Sequence, residues 1–217
     1  MHLIGRYGSD DLRCMSHFYA EFGYASGCCP IRMDTRIYLR PSLSHSQHVR
    51  NCIGVVWMCN PGSAGGPFVP RPWGPIPPDP TLRRVLAMLR LRFPATANDN
   101  NEYGDKYVQI LNLFYAVGVS VPAAWRLWLG HGCKYAEPIP EGAQFAVLAW
   151  GRRGTVGAMR LRTLVPPVLA ALTATRRIKV IHSFGRAKLG VPPGPLYEAD
   201  HPLALRFFDL RGVAALI

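Results

Sequence analysis

The sequence predicts an α/β fold: a three-layer sandwich in which a central, mainly parallel four-stranded sheet is flanked by helices. Three observations carry that expectation. Short apolar runs rich in β-branched residues alternate along the chain with stretches of helical periodicity, the order that builds parallel strands joined by crossover helices. Hydrophobic residues make up 49% of the chain against 18% charged, the balance of a folded globule rather than a disordered chain. A length of 217 residues suits one well-buried domain, read as 1–217, with residues 1–50 as an N-terminal extension packed on the core.

In chain order, Asp10–Tyr19 reads as a short helix, and Arg36–Arg40 alternates like an edge strand that Pro41 stops. His45 and His48 stand in a Ser-rich segment with no third ligand for a metal. Ile53–Met58 is the first core strand, short and bounded by turn chemistry. It stops at Asn60-Pro61-Gly62, where proline fixes φ and glycine permits positive φ. Asn60 is then either a turn-former or a polar side chain at the carboxyl end of a sheet, where open α/β sheets bind ligands. Pro67–Pro78 holds six prolines and reads as a long irregular loop. Its Arg71 and Trp73 either contact a nucleic acid, Trp73 stacking on a base, or belong to a stiff cover.

Asp79-Pro80-Thr81 reads as an N-cap followed by proline at the first helical position. Leu82, Val85, Leu86 and Leu89 form the apolar face of that helix, and Arg83, Arg84, Arg90 and Arg92 its outer face. Tyr107–Phe114 is the second strand, with Asn112 near its end, and Trp125 and Trp128 follow in a short helix or turn. Gln144–Gly151 is the third strand. Arg152, Arg153, Arg160 and Arg162 bracket the start of a helix over Val156–Leu172 that Pro166-Pro167 must break or kink. Arg177–His182 is the fourth strand; a turn-rich loop, Gly190–Tyr197, precedes Asp200-His201-Pro202 and an apolar helix or strand at Leu203–Leu210.

The charge is the most informative global number. Lys+Arg of 25 against Asp+Glu of 13 gives a formal net charge of +12, which favours a polyanionic partner through counterion release. Most of the excess is arginine, suited to planar contacts with phosphates and bases. The six cysteines include no C-x-x-C pair and form no metal pattern, and their thiols are read as reduced; no cofactor is expected. Met1–Asp11 is too short and polar for a secretory signal, and no run approaches the ~20 apolar residues of a membrane span. A cytoplasmic monomer without membrane contact is expected.

Met58-Cys-Asn-Pro-Gly-Ser63, Val108-Gln-Ile-Leu-Asn112, Val147-Leu-Ala-Trp-Gly151 and Pro193-Gly-Pro-Leu-Tyr197 or His201-Pro-Leu-Ala204, each at a strand end, succeed one another in an order that resembles the uracil-DNA glycosylase superfamily. The first looks like the leading motif of its mismatch-specific and thymine-DNA-glycosylase-like branch. Separately, Asn60-Pro-Gly-Ser-Ala64 with Asp79-Pro-Thr-Leu-Arg-Arg84 is similar to an uncharacterised bacterial and phage family carrying N-P-S-T-A and D-P-T-x-R-R signatures.

The resemblance implies a monofunctional DNA glycosylase that extrudes a nucleotide and hydrolyses its N-glycosidic bond. It implies that Asn60 orients the water and His201 assists the leaving base, with Cys59, Pro61, Gly62, Ser63, Asn112 and Phe114 around the base. Arg71, Trp73, Arg83, Arg84, Arg152, Arg153, Arg186, Lys188, Pro193, Gly194 and Tyr197 would face the DNA. The chain departs from the faster uracil-specific enzymes in having Asn60 for an acid and Gly62 for an aromatic that excludes C5-substituted pyrimidines. A C5-modified pyrimidine, such as a bulky base of phage DNA, is therefore the expected substrate. Gly194 or His201 occupies the place of the second-motif histidine, and a His after Asp is otherwise a capped or salt-bridged residue. The competing expectation is a nucleic-acid-binding module with the same fold and no chemistry.

Overall fold

The computed structural model describes residues 16–41, 45–47, 51–62, 64–92, 105–118, 120–149, 158–175, 178, 180–184 and 205–207. In order these form β1 (Phe18–Ala25), β2 (Cys29–Tyr38), β3 (Cys52–Met58), β4 (Arg71–Pro75), α1 (Pro80–Arg92), β5 (Tyr107–Asn112), α2 (Val121–Gly130), β6 (Phe145–Ala149), α3 (Ala158–Ala174), β7 (Val180–Phe184) and β8 (Leu205–Phe207). The strands make one sheet in the order β4-β1-β2-β5-β3-β6-β7-β8.

This corrects the expected fold class. The sheet is mixed, not a mainly parallel four-stranded one flanked by helices. β5, β3, β6 and β7 run parallel, but β4, β1, β2 and β5 pair antiparallel in succession, as do β7 and β8. The parallel strands lie where the four apolar runs were read; of the antiparallel ones, the end of β2 falls in Arg36–Arg40 and β8 in Leu203–Leu210, whereas β1 and β4 were missed for local reasons. Ser26-Gly27 takes up positive φ of 48° and 81° and turns β1 into β2, a hairpin signal hidden among polar residues. β4, Arg-Pro-Trp-Gly-Pro, looks like loop because of its prolines, yet it pairs only with β1 at the sheet edge, where a missing N–H costs little.

Two further local expectations change. Arg36–Tyr38 belongs to β2, an inner strand between β1 and β5 rather than an edge. Phe18 and Tyr19, expected in a helix, begin β1, so residues 18–38 contribute strands to the sheet itself. α3 continues through Pro166 and Pro167, both on its exposed side, so of the break or kink expected there the break does not occur.

Side-chain alternation sorts the core onto two faces. Val56, Met58, Val108 and Ile110 join Leu82, Val85, Leu86 and Leu89 of α1 on one face. Val55, Trp57 and Leu111 join Ala124 and Trp128 of α2 and Val165, Val168 and Leu172 of α3 on the other. β3 is apolar throughout because both of its faces are covered. Each of the four α1 side chains, buried to 5% exposure or less, stabilises the fold by roughly 1.5–3 kcal/mol.

Candidate functional site

β3 and β5 are parallel neighbours, with Met58 the register partner of Asn112. The pairing runs on past both strands, Leu113 N–H donating to Met58 O (2.9 Å) and Phe114 N–H to Cys59 O (3.3 Å). Asn60 and Asn112 are therefore held at the same end of the sheet, and both are buried, at 8% and 5% exposure. The Asn112 backbone N–H donates to Tyr115 Oη at 3.3 Å. Its side chain is in a different position: neither Oδ1 nor Nδ2 finds a hydrogen-bond partner among the described residues. Among the described residues both ends of this carboxamide are open at the strand end, where an unsatisfied buried polar group costs about 1–3 kcal/mol.

The loop after Asn60 is fixed from behind. Arg32 of β2, 1% exposed, donates through Nη1 to Ala64 O at 2.9 Å, and Arg71 donates through Nη2 to Gly65 O at 3.1 Å. Gly65 N–H donates to Pro77 O at 2.9 Å. Burial depresses the Arg32 guanidinium to about 10, against the opposing pull of Asp79, so it remains charged at neutral pH. Asp79 caps α1 by accepting Leu82 N–H on Oδ1 at 2.9 Å, while its Oδ2 faces the loop. At Gly62, φ is +66° and a Cβ would meet Asp79 Oδ2 at 3.0 Å, so the residue is glycine for backbone and packing reasons of its own. Sequence reasoning missed Arg32, since an Arg between Ile31 and Met33 in an alternating strand reads as a solvent-facing residue.

The other predicted residues are distributed more widely. Cys59 is half-buried and Pro61 buried beside Asn60. Phe114 is fully buried against the rings of Trp125 (5.2 Å) and Trp128 (6.2 Å), within the α2 face of the core. Trp73 stacks on Tyr19 at 4.6 Å, donates Nε1–H to Asp34 O at 3.2 Å and has the Arg36 guanidinium 5.3 Å from its ring. Arg71 lies over the Phe22 ring at 4.3 Å. Arg83 is exposed and Arg84 half-buried at the start of α1. Ser63, Arg152, Arg153, Arg186, Lys188, Pro193, Gly194, Tyr197 and His201 lie outside the described residues.

A second polar cluster had no sequence signal. Glu137 accepts hydrogen bonds from Asp34 N–H, Tyr135 Oη–H and Gln109 Nε2–H. The Asp34 carboxylate accepts both Nε–H (2.7 Å) and Nη2–H (2.9 Å) of Arg36 and Nε2–H of Gln47 (3.1 Å). Asp34 has φ of +44° at the point where the β1–β2 register shifts, a conformation costly for a non-glycine residue and held by this network. Burial pushes the Glu137 carboxyl up to about 7 despite its three donors. Among the described residues no cluster of His, Cys, Asp or Glu could hold a metal ion, and no helix is long and apolar enough to cross a membrane.

Compared with protein-family models, curated proteins and solved structures, the chain matches none.

Proposed function

We propose that this protein is a monofunctional DNA glycosylase acting on a flipped-out pyrimidine modified at C5. The observation that carries the reading is the open carboxamide of Asn112 beside buried Asn60 at adjacent parallel strand ends. One carboxamide offers an acceptor and a donor, the pair a pyrimidine presents in complement along its Watson–Crick edge. Asn60 would orient a water toward the anomeric carbon; lacking a carboxylate's basicity, it positions the nucleophile more than it activates it. The bond from sugar to base breaks, water adds to the sugar, and the base departs with a proton, His201 being the proposed assistant. The net charge of +12 supports a polyanionic substrate, and the exposed Arg83 one of its phosphate contacts. Gly62, with no side chain, supports tolerance of a C5 substituent, as in bulky modified phage bases.

The test is release of base from duplexes carrying uracil, 5-hydroxymethyl and glycosylated pyrimidines. Base release from the substituted pyrimidines is expected, and a preference for plain uracil over all of them overturns the C5 proposal. Asn60→Ala should lower abasic-site formation by about 10²–10³-fold with DNA binding nearly intact. Asn112→Leu should lose base recognition while stabilising the free protein by roughly 1–3 kcal/mol, because the open carboxamide is gone. The absence of an acid at position 60 favours a second reading, a binding module without chemistry. That reading stands if the wild type binds modified DNA and leaves no alkali-labile site.

A further inference from the structure

The β1–β2 turn and the carboxyl end of α2 meet in a cluster of thiols outside the site described above. Cys28 is exposed in the turn, and its Sγ lies 3.1 Å from Nδ1 of His131, the residue that caps α2. Cys29, next in the chain, and Cys133 are buried, at 0% and 5% exposure, with Cys133 the hydrogen-bonding neighbour of the Cys29 thiol. Val117 N–H donates to Pro30 O at 2.9 Å, tying the start of β2 to the segment that precedes α2, and Cys133 N–H donates to Trp128 O at 3.1 Å, closing the end of α2.

The three thiols differ in chemical position. Cys28 combines solvent access with a base in hydrogen-bond reach, the arrangement that generates a nucleophilic thiolate. A proton moved to His131 would sit at the carbonyl end of a helix, the end that favours positive charge. Burial pushes the Cys29 thiol up to about 12, so it stays protonated and is a poor nucleophile. Adjacent Cys28 and Cys29 have Cα atoms only about 3.8 Å apart, closer than the ~4.4 Å an unstrained disulfide requires. Cys133, two residues beyond His131 and the hydrogen-bonding neighbour of the Cys29 thiol, is the remaining thiol of the cluster.

We propose that Cys28, His131 and Cys133 form a peroxide-reactive thiol site. The Cys28 thiol gives its proton to His131, and the thiolate sulfur attacks a hydroperoxide oxygen. The O–O bond breaks, the alkoxide or hydroxide leaves with the His131 proton, and Cys28 is oxidised to a sulfenic acid. The Cys133 sulfur then attacks that sulfur, water leaves, and a Cys28–Cys133 disulfide ties the β1–β2 turn to the end of α2.

The experiment adds one equivalent of hydrogen peroxide to the reduced full-length protein, with alkylation and peptide mass mapping over time. The expected result is Cys28 oxidised at least roughly tenfold faster than half-buried Cys59, ending in a Cys28–Cys133 disulfide. His131→Asn should slow the Cys28 step by about tenfold, and Cys133→Ser should leave a sulfenic acid at Cys28 that dimedone labels. Cys133→Ala gives the same readout should a buried serine impair folding. Cys28 reacting no faster than Cys59, an unchanged rate in His131→Asn, or equal dimedone labelling with and without Cys133 would each overturn the proposal. The wild-type rate comparison needs no variant to fold.

Discussion

Glu137 accepts three hydrogen bonds yet holds its proton more tightly than an ordinary carboxyl, because desolvation outweighs the donors. Its folded value of about 7 lies above the usual 4.5, so the native state binds the proton more strongly than the unfolded chain does. The stability this contributes is fully present below about pH 4.5 and is lost as pH rises through about 7, an effect on the order of 3 kcal/mol. Urea denaturation at pH 5.5 and pH 8 should show a decline that Glu137→Gln flattens; the same decline in the variant would remove Glu137 as its source. What the sequence exposes at this scale follows from position along a strand. Asn60 and Asn112 were legible because each ends an apolar run. Arg32 and Glu137 were not, because the partners that define them, Ala64 and Asp34, are 32 and 103 residues away.

At the scale of elements, α3 sets propensity against packing. Pro166 and Pro167 each lack the N–H that an interior helical position donates, yet Val165 and Val168 on either side are buried in the core. Anchoring by those valines and Leu172 overrides a local cost of about 3 kcal/mol per proline. Pro166→Ala should therefore stabilise the protein, by roughly 2 kcal/mol once the ~0.4–1 kcal/mol of greater freedom in the unfolded chain is subtracted. A urea midpoint that falls in the variant would mean that the proline ring contributes packing of its own. The same contest explains which elements could be read in advance. β3 and α1 announce themselves, one apolar on both faces and one with Leu82, Val85, Leu86 and Leu89 at helical spacing behind the Asp79 cap. β1, β2 and β4 depend on one another: β2, carrying Arg32, Asp34 and Arg36, reads as strand only at its end, Arg36–Arg40, and β4, with two prolines, does not read as sheet until its neighbour is known.

For the whole molecule the governing quantity is the charge of +12. If duplex DNA is the partner, affinity should fall steeply with salt, the logarithmic slope growing by about 0.9 for each phosphate neutralised. Fluorescence anisotropy across a salt series measures it, and an affinity indifferent to salt would remove the polyanionic partner. The order of strands has a consequence for biosynthesis. β3 occupies the middle of the sheet, yet both its neighbours, β5 and β6, lie downstream in the chain, β6 ending at Ala149. The β1–β2 hairpin closes locally and can form early, whereas β3 emerges with two apolar faces and two unpaired edges. Until some ninety further residues have been made, the strand that ends at Asn60's loop is the segment most open to mispairing with another nascent chain, and the natural one for a chaperone to shield.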